Sequence, residues 1–152
     1  MAKLNLGVMV EVNSRNNLTY AIGTVANRAN DNDINKAVVL DRTGDSAVKL
    51  AADSDEIRGF IGSVEAFTAD GRSVGTYVKC APNVRFWVTG SGLAVGDLVV
   101  CGAQTGYGVA NAKNNNPYDN RGTTVVKKGT PTTYRWEVIR VKGPDLFLIE
   151  AI

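Results

Sequence analysis

Three groups of residues in this sequence are of types that could do chemistry. In GSGLAVGDLVV, spanning residues 90–100, Gly90, Gly92 and Gly96 could in principle cradle a phosphate. A dinucleotide-binding turn needs G-x-G-x-x-G between a strand and a helix, because the phosphate rests on free N–H groups at the helix N-terminus. Here the spacing is G-x-G-x-x-x-G, and the following Asp97-Leu98-Val99-Val100-Cys101, closed by Gly102, reads as a strand. No Gly-Lys-Ser/Thr triplet occurs in the chain, so a P-loop fails as well. Gly90-Ser91-Gly92 and Gly96-Asp97 are therefore read as turns, where glycine adopts positive φ without steric penalty.

The second group is carboxylate. Asp31-x-Asp33-x-Asn35 has the alternating oxygens of the first half of a calcium loop, but its sixth position is Lys36 instead of Gly and its twelfth is Arg42 instead of Glu. Without the turn glycine and the bidentate ligand, a solvated turn is the expectation. Asp53, Asp55 and Glu56 could supply an acid/base pair, yet nothing nearby marks a cleft, and a solvated loop is again the plainer reading. The third group is Cys80 and Cys101, each at the end of a strand-like run, expected as buried thiols; a disulfide between adjacent strands stays open. Two cysteines without a C-x-x-C pair do not make a structural zinc site. The chain contains no histidine, which removes the commonest general base and metal ligand. No enzyme, metal or cofactor is expected.

Composition sets the class. The chain has 152 residues, 44% hydrophobic and 21% charged, which suits a folded domain with a substantial core. Seventeen Lys and Arg against fifteen Asp and Glu give a net charge of +2, too little to draw the chain strongly to nucleic acid or an anionic membrane. The N-terminal MAKLNLGVMVEV has no continuous apolar stretch before Glu11, and no later run approaches the ~20 apolar residues of a spanning helix. The expectation is a protein made in a cytoplasm, with no membrane partner.

The elements that must position these residues are strands. Period-two runs predict strands at Gly7–Val12, Thr19–Val25, Ala37–Asp41, Ala47–Leu50, Ile57–Phe67, Ser73–Cys80, Val84–Thr89, Asp97–Cys101, Thr123–Lys128, Tyr134–Val141 and Leu146–Ala151. Val84, Phe86 and Val88 should face a core, with Arg85, Trp87 and Thr89 on a mixed outer surface. Asp70-Gly71 and Lys142-Gly143-Pro144-Asp145 are hairpin turns. Leu50–Ile57 has room for one helical turn at most. The fold class is all-β, a small sandwich or barrel-like domain with long polar loops and little or no helix, and residues 1–152 are read as one domain with 1–6 a flexible N-terminal arm. Two Asn-rich stretches, Ala26–Asn35 and Asn111–Gly122, are expected as surface loops, and the second is long enough to invite a functional role.

The run Ala37-Val38-Val39-Leu40-Asp41, the turn Arg42-Thr43-Gly44-Asp45, and then Ala47–Ala52 and Ile57-Arg58-Gly59-Phe60-Ile61-Gly62 resemble the head decoration, or capsid cement, proteins of tailed bacteriophages. A later turn-strand, Gly92-Leu93-Ala94-Val95-Gly96-Asp97-Leu98-Val99, fits the same G-x-x-x-G-D-x-V pattern. The likeness covers roughly Ala37 to Val100 and is one of turns and strands. It implies a compact β domain on the exterior of the virion capsid that does no chemistry, takes the major capsid protein as partner and forms a homo-oligomer, with a trimer ahead of a dimer.

Capsid contact is expected at the N-terminal arm, through Ala2, Lys3, Leu4, Asn5 and Leu6, where alternating apolar residues could add to a sheet edge. The Asn-rich loop offers Asn114, Asn115, Asn116, Pro117 and Tyr118 as a second contact. Two other classes stay open. One is a head-fibre or tail module; the other is a small nucleic-acid-binding barrel that would stack bases on Tyr77, Trp87, Tyr107, Tyr118, Tyr134 and Trp136 and use Lys127, Lys128, Arg135, Arg140 and Lys142 as its basic groove.

Overall fold

Short strands with one apolar face bury that face only by pairing and curling together. The computed structural model describes residues 17–65, 68, 71–110, 124–127 and 132–152. Among these, ten strands form: β1 (Asn17–Ile22), β2 (Ala37–Leu40), β3 (Ala47–Leu50), β4 (Gly59–Glu65), β5 (Ser73–Lys79), β6 (Arg85–Thr89), β7 (Leu98–Cys101), β8 (Val125–Lys127), β9 (Trp136–Val141) and β10 (Leu146–Ala151). Each corresponds to an expected strand, with ends displaced by at most three residues. The strand expected at Gly7–Val12 lies outside the described residues.

The helical turn allowed at Leu50–Ile57 does not form. Its backbone donors are spent elsewhere: Ala52 N–H donates to Asp55 Oδ2 (2.9 Å), Ser54 N–H donates to Cys101 O (2.8 Å), and Ser54 takes φ +73°. A single 3-10 turn appears instead at Asp31–Asp33, capped by Asn30.

Strands β1 to β5 close into a barrel in the order β1-β3-β2-β4-β5. The β1–β3 pair is parallel, with Ala21 opposite Ala47, and the other four pairs are antiparallel. Closure leaves this body no free edge. It requires a bend, and β4 supplies one through a register shift between Ile61 and Ser63. Just beyond that shift stands Gly75, opposite Val64, where a Cβ would collide with the backbone carbonyl of Ser63.

The remaining strands form an antiparallel sheet in the order β6-β10-β9-β7-β8. This sheet curls until Thr124, just before β8, bridges Thr89 at the end of β6, with their hydroxyls 2.8 Å apart. The two expected strand pairs are present as β4–β5 and β9–β10, with Asp70 of the first turn outside the described residues and the second pair tied by Lys142 N–H to Leu146 O (2.8 Å). Gly92 (φ +67°) and Gly96 (φ +94°) act as turn residues leading into β7, which answers the phosphate-cradle question raised by their spacing.

One core joins the two bodies. Ile57, Phe60 and Val78 from the barrel side pack against Phe86, Val99, Trp136, Phe147 and Ile149 from the sheet. Phe60 sits 4.2 Å from Phe86 and edge-on to Trp136 at 5.3 Å, and the Trp136 indole N–H donates to Ile57 O (3.0 Å). This hydrogen bond lets a large aromatic be buried at no polar cost. A smaller cluster, including Ile22, Val38, Val48, Ile61 and Tyr77, fills the barrel.

The outer face of β6 departs from the mixed surface expected there. Trp87 is only 8% exposed and packs with Leu146 and Leu148, while Arg140 lies over its ring at 5.9 Å. Trp87 is registered opposite Leu148, so a cross-strand apolar pair covers what alternation alone assigns to solvent. No helix among the described residues is long and apolar enough to cross a membrane.

Close approach and turn conformation predict different costs at two glycines. Gly75→Ala should lower unfolding free energy by about 3 kcal/mol, since backbone must shift to admit the methyl. Gly92→Ala, which meets open space and bears only the left-handed strain, should cost about 1 kcal/mol. Urea unfolding of both variants checks the order.

Candidate functional site

The Asn-rich stretch at 26–35 is a surface loop at 26–28 and 30–32, as expected, but it sends individual residues inward. Ala29, Asp33 and Asn35 are buried, as is the neighbouring Lys36, so the expected solvated turn is corrected to a polar plug. The side chains of Asp33 and Lys36 are both fully buried, and Lys36 Nζ lies 2.7 Å from Asp33 Oδ1. Burial is tolerable because the partners are complete. Lys36 Nζ also donates to Gly106 O (3.0 Å) and Val109 O (2.6 Å), and Asp33 Oδ2 accepts from Asn30 N–H (2.9 Å) and Gly108 N–H (2.8 Å). The residue that spoiled the calcium pattern is thus itself the cation of this turn. Among the described residues no group of three or more His, Cys, Asp or Glu side chains is placed to hold a metal ion.

These contacts pull the 104–109 segment, which follows β7, across the barrel. Gln104 extends the lacing by accepting from Ala37 N–H (2.9 Å) and donating to Ala51 O (2.8 Å), and Tyr107 Oη accepts from Leu50 N–H (3.1 Å). The segment is a strap from the second sheet onto the barrel. Lys36 is the residue whose importance sequence reasoning missed. The available signal was an acid three residues before a lysine, at the entrance to an apolar strand.

A groove of about 500 Å³ opens between β2–β3 and the 132–134 segment. Val39 and Leu40 contribute apolar surface to it, and Arg42, Lys49 and Arg58 bring positive charge. Arg58 is held from two sides, its Nε donating to Tyr77 Oη (2.9 Å) and its Nη1 to Tyr134 Oη (2.7 Å), with the guanidinium carbon 5.8 Å from the Tyr134 ring centroid. Asp55 and Glu56 also line the groove, although only a solvated loop was expected of them. Glu56 accepts from the backbone N–H groups of Thr132 and Thr133, the latter at 3.1 Å, and so fixes one wall. Asp53, the third carboxylate of that run, is exposed.

Both cysteines are free thiols. Cys101 lies in the shared core and Cys80 packs against it. Burial pushes the Cys101 thiol up to about 12, helped by the negative charges of Asp55 and Asp53, and pushes Cys80 up to about 11. Such groups are unreactive as nucleophiles near neutrality.

The sequence-predicted contact residues Ala2, Lys3, Leu4, Asn5, Leu6, Asn114, Asn115, Asn116, Pro117 and Tyr118 lie outside the described residues. Of the aromatics proposed for base stacking, Tyr77 and Trp136 are fully buried and Trp87 nearly so, whereas Tyr107 and Tyr134 keep partial exposure. Lys127 is 3.3 Å from Asp97, so part of the expected basic groove is neutralised. The chain matches no family model, no curated protein and no solved structure.

Two outcomes are expected. Asp33→Asn and Lys36→Met should each destabilise the fold by about 3–5 kcal/mol, because each strands a buried charge, and the double variant should cost clearly less than their sum. A double-mutant cycle by urea unfolding measures the coupling. The thiols give a pH dependence with a definite sign: their folded pKa values exceed the unfolded ones, so stability present below pH ~9 is lost as pH rises towards 11, by up to about 1.4 kcal/mol per unit and thiol. Tyr77 and Tyr107, also raised by burial, add to the loss above pH ~10. Cys101→Ala should flatten the slope between pH 9 and 10 in equilibrium melts.

Proposed function

We propose that this protein is a non-enzymatic structural component that binds the outside of an assembled bacteriophage capsid and stabilises it. The observation that supports this reading best is mechanical. A closed barrel and a curled sheet share one core, and a strap anchored on a buried ion pair ties the second body across the first. A clamp must carry load between the subunits it joins without opening, and a body with no free barrel edge and two independent ties between its halves is suited to that.

The segments that carry the resemblance lie on both bodies. Residues 37–62 supply β2, β3 and the start of β4, while 92–99 supply the turn into β7. In this reading the major capsid protein is the partner, reached through the N-terminal arm and the Asn-rich loop. The protein acts as a homo-oligomer, with a trimer ahead of a dimer, because symmetric junctions let one oligomer sum several weak contacts. A head-fibre or tail module would have the same β texture, and its position in labelled particles would reveal it.

The nucleic-acid alternative has less in its favour. Base stacking needs exposed aromatic faces along a basic groove, whereas Tyr77 and Trp136 are interior and Arg58 lies over Tyr134.

Binding restricted to the assembled state shifts the shell equilibrium by differential affinity, multiplied over many copies. Shells saturated with the protein should therefore survive higher temperature and longer chelator exposure than bare shells. Isolated capsid subunits should bind it far more weakly. Equal tolerance with and without the protein, or tight binding to free DNA, would count decisively against the proposal.

A further inference from the structure

We propose that the groove between β2–β3 and the 132–134 segment docks an extended acidic segment of a partner protein. Its size falls within the range of about 300–1,000 Å³ typical of ligand clefts. The charge arrangement specifies the occupant. Arg42 and Lys49 are exposed and form no side-chain ion pair or hydrogen bond among the described residues; Lys49 also feels the nearby Asp41 carboxylate, whereas Arg42 stands ready for an anion. Arg58 spends two N–H donors on Tyr77 and Tyr134, which leaves about three of its five for a ligand. Those two bonds hold the guanidinium in place, so its remaining donors present a fixed fork suited to a carboxylate.

The two acidic residues choose between kinds of anion. Asp55 and Glu56 face the same groove, where a continuous polyphosphate backbone would be repelled as it passed them. A peptide avoids this conflict. Its carboxylates are discrete and can seat on Arg58 and on Arg42 and Lys49, while its backbone N–H groups can donate to the free lone pairs of Asp55. Leu40, 38% exposed, and Val39 offer apolar surface for a side chain between the charges. An extended segment alternating acidic and apolar residues satisfies all of these groups together. The assignment does not rest on the shell reading, because it concerns the chemistry of the groove whatever protein supplies the segment.

The test is a fluorescence-anisotropy titration of the full-length protein with a fluorescein-labelled peptide of alternating Glu and Leu. A Gln/Leu peptide, a Lys/Leu peptide and an oligothymidylate serve as comparators. Saturable binding of the Glu/Leu peptide is expected, weakening with salt and at least about tenfold tighter than the Gln/Leu control, which corresponds to about 1.4 kcal/mol. The double variant Arg42→Glu/Lys49→Glu alters exposed residues only, and circular dichroism will verify that it stays folded. It should lose at least about tenfold in affinity for the Glu/Leu peptide and gain affinity for the Lys/Leu peptide. Equal binding of Glu and Gln peptides, an unaffected charge-reversed variant, no binding of the acidic peptide, or tighter binding of the oligothymidylate would each overturn the proposal.

Discussion

The buried ion pair between Asp33 and Lys36 is the constraint on which the polar half of this structure depends. Strand β2 enters the barrel at the fully buried Ala37, so the residue before it is drawn inside too. An isolated ammonium there would be untenable, and the fold answers by bringing three acceptors to it, one carboxylate and two backbone carbonyls from a segment about seventy residues away. Each consequence follows from that requirement. The 3-10 turn with its capping box sets Asp33 in position, and the strap must cross the barrel to deliver Gly106 and Val109. A local charge thereby dictates a long-range connection.

The apolar half is organised by the junction of two curved β bodies. A five-stranded barrel has little interior of its own, and here its inner cluster is small. Most of the apolar burial comes from the contact with the second sheet, where Phe60, Phe86 and Trp136 interlock. Trp136 shows why the contact is specific as well as greasy, because its indole N–H must find Ile57 O, and that fixes how β9 lies against the segment leading into β4. Hydrophobic area holds the bodies together, and the polar ties set their register.

Much of this was legible in the sequence because strands and turns are local. The strand at 85–89, the glycines at 92 and 96 and the closing hairpin 136–151 are all short-range signals, and all are realised. The strand pairing that closes the barrel was not legible. The parallel β1–β3 pair joins segments that no turn connects, and periodicity carries no information about such a partner. Trp87 was misplaced for a related reason, since its cover comes from Leu148 on a strand sixty residues away. The groove stayed hidden because Asp55 and Glu56 face Arg42 and Lys49 only after folding. The sequence shows these charges as two ordinary solvated clusters. The contact residues placed at 2–6 and 114–118 lie outside the described region, so the structure adds nothing to them.

Rigidity and recognition are divided between different parts of the molecule. The charges that hold the fold together, Asp33 and Lys36, are fully buried and fully partnered, so neither salt nor a passing ligand reaches them. Arg42 and Lys49 are exposed and hold no side-chain hydrogen bond among the described residues, on a β-hairpin of the barrel whose strands are pinned on both sides. Arg58 joins the two regimes, since its bonds to Tyr77 in the barrel and Tyr134 beyond it hold a recognition group with the stiffness of the core. A ligand arriving at such a groove meets donors already oriented, so little of its binding energy goes to ordering the site. The same rigidity that the proposed clamp role would require also preorganises the groove for an incoming segment.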